Sequence, residues 1–290
     1  MTEGEFVLIN GTFHDATKPY LKVNRAFMYG DALFESIRVI NGMPYNLESH
    51  FVRMIEGAKA LGFTVPPEFS LAFFRTQISA IIQKNGIKAG GRVRLSLYRN
   101  NGGFYKPTTN SCSYLITADL LPHNLFKLNS EGLLVDIYDG MVKHRNVLSN
   151  FKTSNAILSV LAGNYANENN LSDCFLINSN NHIIESISSN VFLVSNGVLY
   201  TPPLQDGCIG GTMRMNIVNL ALQNNIKIYE TSLTPQNLMA ADEVFLTNAI
   251  SGIQWIGGYK SKRYFNEVSK KLMVLINEKE ASLKMDLKEN

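Results

Sequence analysis

The chain is short of several things that would narrow its chemistry. Of its 290 residues only three are cysteines, Cys112, Cys174 and Cys208. Odd in number, scattered and without metal-ligand spacing, they argue against a disulfide framework and suit reduced thiols in a cytoplasm. The five histidines, His14, His50, His123, His144 and His182, include no pair at ligand spacing, so no metal site is expected. No run approaches the roughly 18 apolar residues of a membrane-spanning helix. The opening MTEGEFVLIN has two glutamates and no basic segment leading into a long apolar run, so no secretory signal is expected there. Charge is sparse too, at 18% of residues and a net +3, with no dense Lys/Arg block, which removes the electrostatic footprint of a nucleic-acid binder. A small-molecule partner and a cytoplasmic location are the expectation.

Apolar residues are plentiful, at 45% of the chain, enough for two medium cores. EFVLINGTFHD and ALFESIRVINGMPYNL each place an Asn-Gly pair between apolar runs, the signal of a β-hairpin. Phe51, Met54, Ile55, Ala58 and Leu61 then recur at helical spacing up to Gly62, and a second amphipathic helix is predicted over 68–85. GRVRLSLYR and SCSYLITADLL read as strands flanking a Gly-rich loop. Residues 1–118 therefore form a smaller α+β domain, and the polar break around Pro122 marks an interdomain linker over 119–128. Residues 129–290 form a larger domain: a strand at GLLVDIY, a helix carrying Lys152 and running to about Asn170, and several short strands in DCFLINSNNHIIESISSNVFLVSNGVLYTP. A helix at TMRMNIVNLALQNN, a strand at DEVFLTNAI and a terminal helix complete it.

Four features bear on chemistry. SNFKTSNAIL sets Lys152 among small, polar and apolar neighbours with no carboxylate in the stretch, a setting that suits a lysine attacking a carbonyl. An amine of that kind, working with an aldehyde cofactor, needs an anion for a pyridine nitrogen and donors for a phosphate. Glu185, between strand-like runs, suits the first role, though taken alone it reads first as a glutamate at a turn. Gly210 and Gly211 stand just before a helix starting near Thr212, which suits a phosphate and reads equally as a tight turn. Arg53 has the fork for a phosphate, though taken alone it reads first as a solvated helix residue.

Taken in order, these pieces resemble the class IV pyridoxal-phosphate aminotransferase family, the fold-type IV group that includes branched-chain aminotransferases, D-amino-acid aminotransferases and aminodeoxychorismate lyases. YGDALFESIRV is similar to the family's Tyr-Gly-Asp-x-x-Phe-Glu segment, and LESHFVRM to its Leu-x-x-His-x-x-Arg-Leu helix. FKTSN is similar to its lysine segment, ESISSNVF to its Glu-x-x-x-x-Asn-x-Phe strand, and GTMR to its Gly-Ile-Thr-Arg turn. The resemblance implies an α/β fold, with an α+β N-terminal domain and a larger C-terminal pseudo-barrel domain, pyridoxal 5'-phosphate between them, and a homodimer. It implies Lys152 as the Schiff-base lysine and Glu185 as partner of the pyridine nitrogen. Arg53 and the amides of Thr212 and Met213 would hold the phosphate, helped by the turn at Thr247, Asn248 and Ala249, with Asn190 and Gly211 completing the cofactor site.

The reaction stays open between a lyase and a transaminase. LYRNNGGFYKP is similar to the Arg-x-x-Gly-Gly-x-x-Tyr loop of aminodeoxychorismate lyases, one residue shorter to Tyr105. Met213 stands where aminotransferases usually carry threonine, and FLTNA is similar to the lyases' Asn-Ala turn. FESIR is nearer to branched-chain aminotransferases, yet Ile157 occupies the position of a tyrosine that touches the cofactor hydroxyl in bacterial members of that group. A 4-amino-4-deoxychorismate lyase is the favoured reading, with a branched-chain or D-amino-acid aminotransferase using 2-oxoglutarate as the alternative. A noncatalytic binding protein would be expected to lose Lys152 or Glu185, and both are present. Arg94, Arg99 and Tyr105 are the candidates for substrate carboxylates.

Overall fold

A computed structural model describes residues 6–17 and 24–286. Glu5, the first residue of the predicted first strand, and the last four residues of the predicted terminal helix lie outside the described residues. The chain divides into two compact units, one of residues up to Leu125 together with Phe151–Asn155, the other of Phe126–Asn150 together with residues from Ala156 onward. A single cut near residue 120 misses the excursion of Phe151–Asn155.

The first unit contains β1 (Phe6–Ile9), β2 (Thr12–Asp15), α1 (Arg25–Tyr29), β3 (Ala32–Ile40), β4 (Met43–Pro44), α2 (Leu47–Ala60), α3 (Leu71–Lys84), β5 (Gly91–Arg99) and β6 (Cys112–Leu120). Its strands form one antiparallel sheet in the order β2-β1-β6-β5-β3-β4. Both Asn-Gly pairs turn with positive φ, Asn10 at 46° and Gly11 at 83°, Asn41 at 55° and Gly42 at 73°, the backbone that matches the twist of a two-residue hairpin. Along β5 buried and half-buried residues alternate. Val93, Leu95 and Leu97 turn to one face and join Ile37, Tyr114 and Ile116 against Met54 of α2 and Phe74, Ile78 and Ile81 of α3. The register of β3, β5 and β6 puts Phe34, Ser36, Arg92, Arg94, Ser96 and Tyr98 together on the other face. Ser70 caps α3 by accepting the Phe73 N–H. The five-residue α1, capped by Asn24 and ended by Gly30 at φ 63°, is absent from the sequence prediction because so short a helix shows no apolar period.

Phe151–Asn155 belongs to this unit through its backbone. The Phe34 N–H donates to the Lys152 carbonyl at 2.8 Å, the Ser154 N–H donates to the Ala32 carbonyl at 2.9 Å, and Leu33 and Thr153 form an antiparallel bridge. The sequence predicts a helix carrying Lys152; the structure has an extended segment there, clipped to β3, and the helix begins at Ile157.

The second unit contains β7 (Leu133–Lys143), α4 (Ile157–Glu168), β8 (Asp173–Asn178), β9 (Ile183–Ser186), β10 (Asn190–Ser195), β11 (Val198–Thr201), α5 (Thr212–Gln223), β12 (Ile228–Glu230), α6 (Pro235–Ala240), β13 (Glu243–Asn248), β14 (Gly252–Tyr259), β15 (Lys262–Arg263) and α7 (Glu267–Asp286). Its mixed sheet runs β12-β11-β10-β13-β14-β7-β8-β9, with β15 beside β14. β8 is buried along its whole length, which explains its unbroken apolar run. Cys174 and Leu176 join Ala162 and Ala166 of α4, whereas Phe175 and Ile177 pack with Val191, Leu246 and Ile256. Phe192 and Phe245, directly opposed on β10 and β13, stack with centroids 5.1 Å apart. Among the described residues no helix is long and apolar enough to cross a membrane.

Candidate active site

In the second unit Glu185, on β9, is 6% exposed and has both carboxylate oxygens occupied. Oε1 accepts from Lys143 Nζ at 2.6 Å and Oε2 from the Ile209 N–H at 2.8 Å. Lys143, the last residue of β7, also donates to the Ser149 carbonyl at 3.2 Å. Nothing in the sequence around Lys143 singles it out, because the pairing joins residues 42 apart. The Ile209 carbonyl accepts from Asn190 Nδ2 at 2.8 Å, and the Gly210 N–H donates to the Asn150 carbonyl at 3.0 Å.

Gly211 precedes α5 at an ordinary φ of −65°, so its conformation does not call for glycine. Its contacts do: a Cβ there would lie 1.9 Å from Asn190 Oδ1. Asn190 thus shapes the turn at the head of α5. Thr212 and Met213 open that helix, buried, with no side-chain hydrogen bond at its N-cap. A 12-residue helix presents partial positive charge at such an end. Opposite Asn190 in the ladder of β10 and β13 lies Thr247, whose hydroxyl is buried and has no hydrogen-bond partner. Asn248 next to it donates to Ser189 Oγ at 2.9 Å and accepts from the N–H groups of Ile250 and Ser251, so its side chain holds the turn through Ala249. Glu185, Asn190, Gly211, Thr212, Met213, Asn248 and Ala249 are therefore linked through a short chain of contacts. A helix end without a side-chain cap and an unsatisfied buried hydroxyl suit a phosphate, and a buried carboxylate suits a protonated pyridine nitrogen. The donor set fits pyridoxal phosphate. Cys208 beside it is fully buried, and burial together with the Glu185 charge pushes its thiol up to about 12, which leaves it without nucleophilic character.

In the first unit Lys152 and Arg94 share one aromatic ring. The Phe34 centroid lies 3.6 Å from the Arg94 guanidinium carbon and 4.9 Å from Lys152 Nζ. Burial, and after it the like charge of Arg92, pull the Arg94 guanidinium below its ordinary value. Arg53 lies elsewhere in this unit, on α2, with Nε and Nη2 on the two oxygens of Glu35. Glu35 also bonds His50 Nδ1 at 2.6 Å. Burial opposes ionisation of Glu35, but Arg53 and His50 outweigh it and hold the carboxyl at about 2. The sequence reading missed this cluster, although His50 and Arg53 stand three residues apart on one helical face.

Arg94 separates from the other two substrate candidates. Arg94 and Arg99 differ by five positions on β5 and so point to opposite faces of the sheet. All three Arg99 nitrogens are committed: Nε to Asp31 at 2.9 Å, Nη1 to Asn110 Oδ1 at 2.5 Å and Nη2 to the Leu61 carbonyl at 2.6 Å. Tyr105 is 88% exposed, its ring 5.3 Å from that of Tyr29, at a cavity of about 260 Å3 that Arg25, Asp31 and Arg99 also line. The structure thus removes Arg99 from the expected carboxylate fork, because its donors already anchor Asp31, Asn110 and Leu61, and leaves Arg94 near Lys152.

Residues 32–257 match the family model described as Amino-transferase class IV. The chain is 27% identical over 281 residues to a putative branched-chain-amino-acid aminotransferase of Methanocaldococcus jannaschii, covering 92% of this chain and 93% of the relative. It is 26% identical to a D-alanine aminotransferase of Bacillus licheniformis, covering 85% and 86%. The crystal structure of a putative 4-amino-4-deoxychorismate lyase from Legionella pneumophila superposes with a TM-score of 0.80 at 25% identity, covering 91% of this chain and 97% of that one.

Proposed function

The chain belongs to the class IV aminotransferase family, whose members use pyridoxal 5'-phosphate, and on that premise we propose that it is a 4-amino-4-deoxychorismate lyase, forming p-aminobenzoate and pyruvate in folate synthesis. The carrying observation is the shared seat of Lys152 and Arg94 on Phe34, which sets a cation for a substrate carboxylate beside the reacting amine. Met213 in the first turn of α5 and the Asn248–Ala249 turn, the two lyase-like departures in the sequence, support the choice of reaction. So does the likeness to the Legionella structure.

Bound pyridoxal phosphate supplies an aldehyde carbon that joins amines and a protonated ring that takes up the electrons left when a substrate C–H bond breaks. Lys152 would hold the cofactor through its amine and, once that amine is free, would be the base that removes the proton from the amine-bearing carbon of the substrate. For a lyase, Lys152 would return that proton to the departing enolpyruvyl group, giving pyruvate as the substrate's adjacent C–O bond breaks and its ring becomes aromatic. Glu185, oriented by Lys143 and the Ile209 amide, would accept from the protonated ring nitrogen. In the second unit the head of α5 and Thr247 would hold the phosphate, and the family resemblance assigns Arg53 to the same group. A homodimer in the cytoplasm completes the proposal and rests on the family resemblance.

The test supplies 4-amino-4-deoxychorismate to the purified, cofactor-loaded protein and follows p-aminobenzoate and pyruvate, with Lys152→Ala as control. Equal amounts of both, absent in the control, are expected. No product from the chorismate, together with keto-acid formation from L- or D-amino acids and 2-oxoglutarate, would replace the lyase with an aminotransferase. The relatives at 27% and 26% identity support that second reading.

A further inference from the structure

Five Asn-Gly pairs occur in the chain, beginning at Asn10, Asn41, Asn85, Asn101 and Asn196. Glycine has no side chain to shield its backbone nitrogen, so in each pair that nitrogen can reach the amide carbon of the asparagine before it. The fold restrains four of the five. Asn10 Nδ2 donates to Ser113 Oγ at 3.0 Å and its Oδ1 accepts the Tyr114 N–H at 2.9 Å. Asn41 Oδ1 accepts from Asn124 Nδ2 at 2.7 Å, and the Gly42 N–H is spent on the Ala89 carbonyl. Asn85 accepts the Phe6 N–H and donates to the carbonyls of Phe6 and Ala118, and the Gly86 N–H is spent on the Gln83 carbonyl. Asn101 Oδ1 accepts the Arg25 N–H at 3.2 Å. Asn196 differs from all of these. It stands exposed in the turn between β10 and β11, and neither its side chain nor the Gly197 N–H has a hydrogen-bond partner among the described residues. A Cβ on Gly197 would meet nothing within 4 Å, so the space around the two groups is open.

We propose that Asn196 is a site of spontaneous modification, converted to aspartate and isoaspartate ahead of the other four pairs, with water as the only co-reactant. The Gly197 nitrogen attacks Asn196 Cγ. A Cγ–N bond forms, the Cγ–Nδ2 bond breaks, and ammonia leaves with the proton of the glycine nitrogen, closing a succinimide ring. Water then opens the ring at one of its two carbonyl carbons. Opening at Cγ gives aspartate; opening at the main-chain carbonyl gives isoaspartate, whose backbone runs through the former side chain and is one carbon longer. Nothing is oxidised or reduced. The product sits poorly in this turn. Asp242 Oδ2 accepts the Asn196 N–H at 2.7 Å and the Asp242 N–H donates to the Val194 carbonyl at 2.8 Å, so an anion just before β13 anchors the hairpin. A carboxylate on residue 196 repels that anchor, and an added backbone carbon breaks the match between the strands and a two-residue turn with φ of 51° at Asn196 and 74° at Gly197. The inference concerns this turn alone and depends on neither the cofactor nor the reaction.

The test holds the cofactor-loaded protein in warm, mildly alkaline buffer, which frees the glycine nitrogen of its proton, beside a second sample unfolded in guanidinium chloride. The peptides carrying the five pairs are followed by mass spectrometry after digestion. Unfolded, the five are expected to convert at comparable rates. Folded, Asn196 is expected to convert first, at least about 10-fold ahead of Asn10, Asn41 and Asn85, because each hydrogen bond that must open beforehand slows the attack by up to about 10-fold. Asn101, with its Oδ1 held, is expected to follow Asn196 as well. Isoaspartate at residue 196 is identified by its acceptance of a methyl group from an isoaspartate-specific methyltransferase, and Asn196→Ser abolishes the first conversion. The more acidic fraction, separated by ion exchange, is expected to unfold about 2–4 °C below the parent. Earlier conversion of any other pair in the folded protein overturns the proposal, and so does an Asn196 that stays intact when folded while all five convert in guanidinium chloride. An acidic fraction as stable as the parent overturns the part played by Asp242.

Discussion

Replacing Glu35 with glutamine removes the anion at the centre of the cluster that orients Arg53. The carboxylate is 1% exposed and takes both forks of Arg53 as well as His50. Burial alone raises its pKa, and the two basic groups overcome that and carry it from 4.5 down to about 2. A group whose folded pKa is depressed adds stability above its unfolded pKa and loses it as pH falls toward the folded value. At about 1.4 kcal/mol per pH unit, the separation is worth roughly 3 kcal/mol at neutral pH, in line with the ~3–5 kcal/mol cost of removing one partner of a buried pair. Glu35→Gln is therefore expected to unfold in urea about 3 kcal/mol more easily than the parent at pH 7. The gap should begin to narrow near pH 4.5 and have narrowed by about 1 kcal/mol at pH 3.5, because the parent then loses what the variant never had. The remaining carboxylates titrate alike in both proteins and cancel in the difference. Cofactor retention should fall as well, since Arg53 loses the partner that holds its fork. Equal stability at pH 7, or a gap that stays constant with pH, would refute the linkage.

Two further substitutions probe the second unit. Glu185→Gln keeps the shape of the side chain and removes the charge, so exchange of the substrate α-proton with deuterated solvent should slow by about 100-fold or more while the purified protein keeps its cofactor; exchange at the parent rate would remove Glu185 from the reaction. Gly211→Ala would bring a methyl to 1.9 Å from Asn190 Oδ1, an overlap that must displace the turn joining Asn190, Ile209 and Glu185. A loss of about 1–3 kcal/mol in thermal unfolding is expected, with release of cofactor, and adding Asn190→Ala should restore part of the stability. A Gly211→Ala protein as stable as its parent would show that the turn yields without cost.

Local chemistry was readable in the sequence wherever the structure answers to neighbours in the chain. Both Asn-Gly hairpins form because the two residues tolerate the positive φ that the turn imposes, and α2 and α3 follow their apolar period. Lys152 shows the limit. Lys-Thr-Ser-Asn ahead of an apolar run has the composition of a helix start, but its backbone groups are taken by Ala32 and Phe34, more than 100 residues earlier, so the segment is extended and the helix waits until Ile157. Lys143 and the Glu35 cluster were hidden for the same reason, since each is defined by a partner on another element.

Strand parity divides the expected carboxylate ligands: Arg94 and Arg99 stand an odd number of residues apart on β5, which sends them to opposite faces. Arg92 shares the parity of Arg94, and Arg99 shares that of Val93, Leu95 and Leu97, on the side where the helices pack. On that packed side an arginine must be matched by the protein itself, and Arg99 is, by Asp31, Asn110 and Leu61. On the other side Arg92 and Arg94 lack such a match, and water or a ligand must provide it. The alternation that builds the core thus separates the arginines: Arg99 on the helix side is matched by the protein itself, whereas Arg92 and Arg94 stand on the face of Phe34, where among the described residues only Arg38 is tied to backbone carbonyls.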